Sequence, residues 1–187
     1  MPSVSLRALE FLQSVDLSEN LIRSIGPCSF CGCNISKVNL KGNLMGLNAP
    51  NSINREAFAE TKIIELNLSF NHFNKHGFNS EMLRDAQKFL RILHLSGNGL
   101  VIIEDQLINT LPQLIHLHLG ENNIKSVPYD LGKQYSNLGL ITENINKSSS
   151  LLVLMNLSGN ALETLPPNLD NLMPHLKVLD LSYNRFR

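Results

Sequence analysis

The stretch Leu90-Arg91-Ile92-Leu93-His94-Leu95-Ser96-Gly97-Asn98-Gly99-Leu100 decides the fold of this chain. Apolar residues occupy its first, fourth, sixth and eleventh positions, and an asparagine occupies the ninth. The same pattern occurs seven times along the 187 residues. A unit that recurs about every 20–50 residues indicates a solenoid of stacked units. The asparagines of the seven units are Asn20, Asn43, Asn71, Asn98, Asn122, Asn160 and Asn184.

Each unit is predicted to form a short strand that pairs in parallel with the strand of the next unit. The leucines around the strand face a core that no single unit can close, so stacking is needed to bury them. The asparagine follows the strand, where a sharp turn leaves backbone donors and acceptors without partners. Because a side-chain amide both donates and accepts, we predict that the seven asparagines form a ladder that satisfies these groups.

The pattern resembles that of the leucine-rich repeat superfamily, in its subclass of about 24 residues. Successive asparagines are 23, 28, 27, 24, 38 and 24 residues apart, so the resemblance covers essentially the whole chain. It implies an α/β solenoid: a curved horseshoe with a parallel β-sheet on its concave face. Mixed loops, turns and a short helix are expected on the convex face. The subclass is frequent in cell-surface receptors and also occurs in cytoplasmic scaffolds.

We predict a single domain over residues 1–187, with about seven repeats in 12–187. Residues 1–11 form a degenerate N-terminal cap that uses Leu6, Leu9 and Phe11 together with Leu12 of the first repeat. A convex helix is expected over residues 79–90, capped by Asn79 or Ser80. Residues 48–54 are a loop by composition.

Two further regions depart from the regular repeat. Residues 135–150 are either an insertion or a decayed repeat. The last unit ends shortly after Asn184, so we expect it to be truncated. An uncapped end of this kind exposes core residues. It predicts either a longer array with homo-association of the isolated chain through the C-terminal face, or an end that a dimer partner covers.

Charge and hydropathy narrow the class of partner and the location. The chain carries 16 basic and 16 acidic residues, so a charge-driven nucleic-acid or membrane-surface role is not expected. No apolar run is long enough to span a membrane. The first residues lack the basic start and apolar stretch of a signal peptide. A cytoplasmic location is therefore favoured, and the alternative is a cell-surface or extracellular receptor fragment.

All three cysteines lie in Cys28-Ser29-Phe30-Cys31-Gly32-Cys33. A structural zinc site needs four ligands and no second pair follows, so we expect no metal and interpret Cys33 as a buried thiol. The cluster is inside the array rather than at its ends, which weakens the secreted interpretation. Four Asn-x-Ser sequons occur, and Asn146 is the candidate for glycosylation if the chain is secreted. The other three are Asn34, Asn67 and Asn156.

No catalytic motif is present in the sequence, so we expect no enzyme activity and no cofactor. The predicted function is that of a protein-interaction module, acting as scaffold, adaptor or receptor recognition segment through the concave face. The alternative is a regulatory segment of a larger signalling kinase or phosphatase. The candidate concave binding residues are Lys37, Glu65, Phe70, Ile92, His94, His116, His118, Leu154 and Tyr183.

Three histidines of this surface are predicted to converge. His94 and His118 occupy the same position in consecutive units, and His116 lies two residues before His118 on one strand. Three interpretations remain open at this stage: solvated side chains, a pH-sensitive binding patch, or a three-histidine metal site.

Overall fold

The computed structural model describes residues 6–47, 51–74, 78–104, 107–129, 131 and 150–187. These residues form one sheet of seven strands, whose order across the sheet is their order in the sequence. Every neighbouring pair is parallel, which confirms the predicted solenoid. The strands are β1 (Ser14–Asp16), β2 (Lys37–Asn39), β3 (Glu65–Asn67), β4 (Ile92–His94), β5 (His116–His118), β6 (Leu154–Asn156) and β7 (Val178–Asp180).

The core lies behind the sheet and is filled by the repeated apolar residues. The middle residue of each central strand points inward, and Leu66, Leu93 and Leu117 are all fully buried. The equivalent residues of the first and last strands, Val15 and Leu179, are only partly buried. An inner unit has neighbours on both sides whereas a terminal unit has one, so burial depends on stacking.

The convex side consists of turns and short helices. A 3-10 helix spans Leu6–Ala8 and another spans Ser80–Leu83, while α1 covers Leu107–Thr110 and α2 covers Leu169–Leu172. None of the helices in the described ranges has the length and apolar character required to cross a membrane.

The predicted helix over 79–90 is much shorter than expected. Asn79 does cap it, since its side chain accepts a hydrogen bond from the Glu81 N–H at 2.7 Å. After Leu83 the chain continues in turns rather than in an α-helix. Met82 and Ala86 are buried as their spacing predicted, but Phe89 is 40% exposed. The apolar spacing over residues 79–90 therefore predicted which side chains are buried better than it predicted the length of the helix.

Two segments depart from the regular repeat: the predicted N-terminal cap and the predicted insertion at 135–150. In the N-terminal cap, Leu6 and Leu12 pack against the core, whereas Leu9 is 52% and Phe11 is 92% exposed, so only half of the predicted apolar set is used. The predicted insertion at 135–150 lies outside the described residues except for Ser150. Strands β5 and β6, on either side of the segment in sequence, pair directly with each other.

Candidate functional site: the concave sheet

The concave face carries two columns of outward-facing side chains. Each strand has three residues, and because side chains alternate along a strand, the first and third point away from the core. Parallel pairing in register aligns them from unit to unit. The first column is Ser14, Lys37, Glu65, Ile92, His116, Leu154 and Val178, and the second is Asp16, Asn39, Asn67, His94, His118, Asn156 and Asp180.

Most of the second column has a structural role. At five of its seven positions an Asp or Asn side-chain oxygen accepts the backbone N–H two residues later, as Asn67 does from Ser69 at 3.0 Å. This contact closes the turn that follows the strand. The two remaining positions are His94 and His118, and in the described part of the chain neither makes this contact. The middle of the column therefore departs from the local rule.

The histidines lie where the sequence predicted and contact one another. The rings of His94 and His118 stack with centroids 4.4 Å apart and an angle of 10° between their planes. The ring of His116 meets that of His118 edge-on at 6.5 Å. His94 Nε2 lies 3.6 Å from Glu65 Oε1, and Glu65 Oε2 accepts from Lys37 Nζ at 2.9 Å. We call Glu65, His94, His116 and His118 the histidine patch.

Burial sets the charge state of this patch. It lowers the pKa of His94, an effect that the Glu65 carboxylate opposes and the neighbouring His116 reinforces. Burial also lowers the pKa of His118, and repulsion from His94 and His116 adds to the effect. The hydrogen bond from Lys37 is the largest cause that lowers the pKa of Glu65. At neutral pH the stacked rings are therefore uncharged while Glu65 is ionised.

Two clusters singled out in the sequence, the cysteines and the histidines, carry residue types that bind metals. Among the described residues there is no group of three or more His, Cys, Asp or Glu side chains with the geometry to hold an ion. The rings of His94 and His118 stack face to face.

Of the other candidate residues, Ile92 and Leu154 begin strands β4 and β6, and Phe70 and Tyr183 lie in the turns after β3 and β7. Ile92 and Leu154 are partly exposed, and Tyr183 is 89% exposed. Phe70 is 42% exposed, but one face of its ring is covered by Lys41, whose Nζ lies 5.2 Å from the centroid. Its other neighbour is Gly97, where a Cβ atom would lie 2.5 Å from the ring. Phe70 therefore packs partly against Lys41 and Gly97, whereas the exposed ring of Tyr183 is accessible to a partner.

The asparagines are connected from unit to unit behind the turns. The Asn98 side chain donates to the carbonyl oxygens of Leu68 and Leu95, one in the preceding unit and one in its own. Its oxygen accepts the N–H of Asn71 at 3.0 Å. The five inner asparagines are buried, Asn184 is part-buried, and Asn20 is exposed and bonds only within its own turn. Among the described residues, no repeat precedes that of Asn20 for its side chain to connect to.

The cysteines show what the sequence interpretation missed. Cys28 and Cys31 form a disulfide, and Cys33 is buried in the core as predicted. The Cys-x-x-Cys spacing of Cys28 and Cys31 is the signal for this bond, whereas the sequence interpretation considered metal binding and a buried thiol for the cluster. Of the sequons, Asn34 is exposed, whereas Asn67 and Asn156 have their side-chain oxygens committed to turn contacts. Asn146 lies outside the described residues.

Comparison with known proteins identifies the same repeat. Family models described as leucine-rich repeat match residues 89–141, 11–33 and 173–187. The chain is 29% identical to the CD180 antigen of Mus musculus, over 96% of this chain and 25% of that protein. It is 31% identical to chaoptin of Drosophila melanogaster, over 80% of this chain and 12% of that protein. The chain thus spans a quarter or less of the length of these relatives.

Solved structures with low identity share the fold. A leucine-rich repeat protein of Leptospira interrogans matches with a TM-score of 0.71 at 23% identity, over 100% of this chain and 41% of that one. TLR13, in a structure described as its complex with ssRNA13, matches with a TM-score of 0.68 at 23% identity, over 92% and 22% of the two chains. The repeated sequence pattern, the seven-stranded parallel sheet and these similarities together show that the chain belongs to the leucine-rich repeat superfamily.

Proposed function

We propose that the chain is a protein-interaction module that binds a protein partner through the concave sheet. The observation that carries the proposal is the histidine patch. It lies in the middle of a seven-stranded surface, at the one place where side chains that close turns elsewhere are replaced by stacked, partly exposed rings. A rigid surface of this extent suits a folded protein better than a small ligand.

The surroundings of the patch support a protein partner. Lys37 and Glu65 form an ion pair on one side, and the partly exposed Ile92 and Leu154 lie in the same column. Tyr183 supplies an exposed aromatic ring toward the C-terminal end. Interfaces commonly combine an apolar or aromatic centre with a polar rim, and a few such residues supply most of the binding free energy.

The relatives support a receptor-type role over a scaffold role. CD180 is named as an antigen, and TLR13 is described in complex with an RNA. The balanced charge of the present chain favours protein over nucleic acid, because nucleic-acid binding depends on many cationic contacts to phosphates. The Cys28–Cys31 disulfide adds a reason to propose the cell-surface or extracellular alternative, since such bonds persist mainly in oxidising compartments.

Site-specific photo-cross-linking tests the proposal. A benzophenone amino acid is placed at Ile92 on the concave face and, in a matched control, at the exposed Lys88 on the convex side. Each variant is irradiated with extract from cells that express the protein, and cross-linked products are identified by mass spectrometry. We expect a discrete protein product from position 92 that is absent from position 88.

The cross-linking result is checked by competition. An excess of unlabelled wild-type chain should abolish the product from position 92, and an excess of the Ile92→Asp variant should not. Products that form equally from both positions, or from position 88 alone, would show that the concave sheet is not the binding face.

A further inference from the structure

The histidine patch breaks a local rule at a cost in turn stability. In five units an Asp or Asn at the end of the strand caps the following turn, while His94 and His118 give up this hydrogen bond. Such a bond contributes about 1 kcal/mol. Positions where a sequence departs from its own local pattern without structural gain are expected to serve function. The two consecutive departures place the imidazoles side by side.

The described charged groups that contact the patch form one ion pair. Lys37 comes from β2 and binds Glu65 of β3, which also lies beside His94. In sequence, Arg91 precedes β4 and Glu121 follows β5. Strand β6 contributes Leu154 and Asn156, which do not titrate.

Acidification makes this surface cationic. Protonation of His94 and His118 adds up to two positive charges, and Glu65 is already bound by Lys37. Within the described residues no carboxylate forms an ion pair with His118. Among the described residues, a protonated His118 therefore has no ion-pair partner of its own, and Glu65 acts on it only at longer range.

We propose that the histidine patch binds an acidic segment of a partner protein, rich in Asp or Glu, and binds it more tightly at mildly acidic pH than at neutral pH. The inference rests on the proposed concave-face function and adds the chemistry of the partner. A carboxylate of the partner protein supplies the counter-ion that His118 lacks among the described residues. The binding window lies between the ordinary pKa of Glu, about 4.3, and that of His, about 6.5, where both partners carry charge.

The lowered pKa values agree with this role. In the isolated chain, protonation of the stacked pair is opposed by burial and by mutual repulsion. A bound carboxylate favours the protonated form, so binding and proton uptake are linked. Uptake of one proton on binding strengthens affinity by up to about tenfold for each unit that the pH falls between the pKa of the histidine in the complex and its lower pKa in the free chain.

A peptide-binding assay on the whole chain provides the test. Fluorescein-labelled hexaglutamate is titrated with protein at pH 7.5 and at pH 5.5, with fluorescence anisotropy as the readout and hexaserine as the uncharged control. We expect binding of hexaglutamate to be about tenfold tighter at pH 5.5, and no change for hexaserine. Raising the salt concentration should weaken the acid-dependent binding, because the contacts are ionic.

The variants replace histidine by asparagine, a residue that closes the turn at equivalent positions of other units. His94→Asn together with His118→Asn restores the turn-closing residue of the other units, so the variant should fold at least as well as wild type. It should lose the acid-dependent tightening. His175→Asn, at an exposed position between α2 and β7, removes a histidine elsewhere and should leave the tightening unchanged.

Each outcome decides the inference. Equal binding at both pH values, or tightening that survives in the double variant, would overturn it. Equally tight and equally acid-dependent binding of a single-stranded thymidine dodecamer would also overturn it, because the patch would then recognise polyanions rather than an acidic peptide. Cross-linking from position 92 without acid-dependent peptide binding would refute the acidic partner alone. If no cross-link to a protein formed from position 92, the concave-face function itself would be refuted.

Discussion

Replacement of Asn98 by alanine probes the asparagine ladder at its centre. Asn98 is 2% exposed. Its side-chain nitrogen donates to the carbonyl oxygens of Leu68 at 3.0 Å, Leu95 at 2.9 Å and Ser96 at 3.3 Å. Its side-chain oxygen accepts from the N–H of Asn71 at 3.0 Å. One side chain therefore adds to the backbone hydrogen bond from the Phe70 N–H to the Ser96 carbonyl oxygen, at 2.8 Å, in joining the two turns.

The magnitude follows from which groups lose their partners. The Leu68 and Leu95 carbonyls each keep a second donor, from Asn71 at 3.0 Å and from Asn122 at 3.1 Å. The buried Asn71 N–H loses the acceptor described above, and a buried donor without a partner costs about 1–3 kcal/mol. The weakened carbonyl contacts add about 1 kcal/mol. We expect Asn98→Ala to lower the free energy of unfolding by about 2–4 kcal/mol in total.

Guanidinium denaturation followed by far-UV circular dichroism measures this difference. The matched control is Asn20→Ala, because Asn20 is exposed and donates only to the Leu17 and Ser18 carbonyls of its own turn. The control should cost less than about 1 kcal/mol. If Asn98→Ala shifted the midpoint no more than Asn20→Ala, the connection between units would not be the source of stability at the turns.

Three further predictions concern the turns, the core and the histidines. Gly46 has a φ of +80°, and a Cβ atom there would lie 2.6 Å from the His72 carbonyl oxygen. Left-handed strain alone costs about 1–2 kcal/mol. Gly46→Ala should therefore lower the free energy of unfolding by more than this amount in the same denaturation assay. Phe58 is fully buried, and Phe58→Ala should cost about 3–5 kcal/mol in that assay, whereas a loss below 1 kcal/mol would contradict its place in the core. The pKa values of His94 and His118 are lowered on folding, so the unfolded chain takes up protons first and the free energy of unfolding should fall as the pH drops below about 6.5. Denaturation midpoints at pH 7.5 and 5.5 should show this loss in wild type and a smaller loss when both residues are asparagine.

The sequence by itself determined the solenoid, its strands and the outward-facing columns. The reason is local: the apolar positions and the asparagine recur within each unit, and a unit of this kind buries its core only by stacking on copies of itself. The positions of His94 and His118 in the second column therefore followed from counting residues, and the ring contact between them is a consequence of parallel pairing in register.

Tertiary structure decided the features that depend on distances across the chain. The pairing of Cys28 with Cys31 depends on how the convex turn folds back, which the three closely spaced cysteines left open. The helix after Asn79 ends at Leu83, although apolar residues at helical spacing continue to Phe89. The charge state of the histidine patch depends on burial and on Glu65, a residue from another unit. Local pattern therefore specified where each side chain stands, while packing between units determined how deeply it is buried and which groups it contacts.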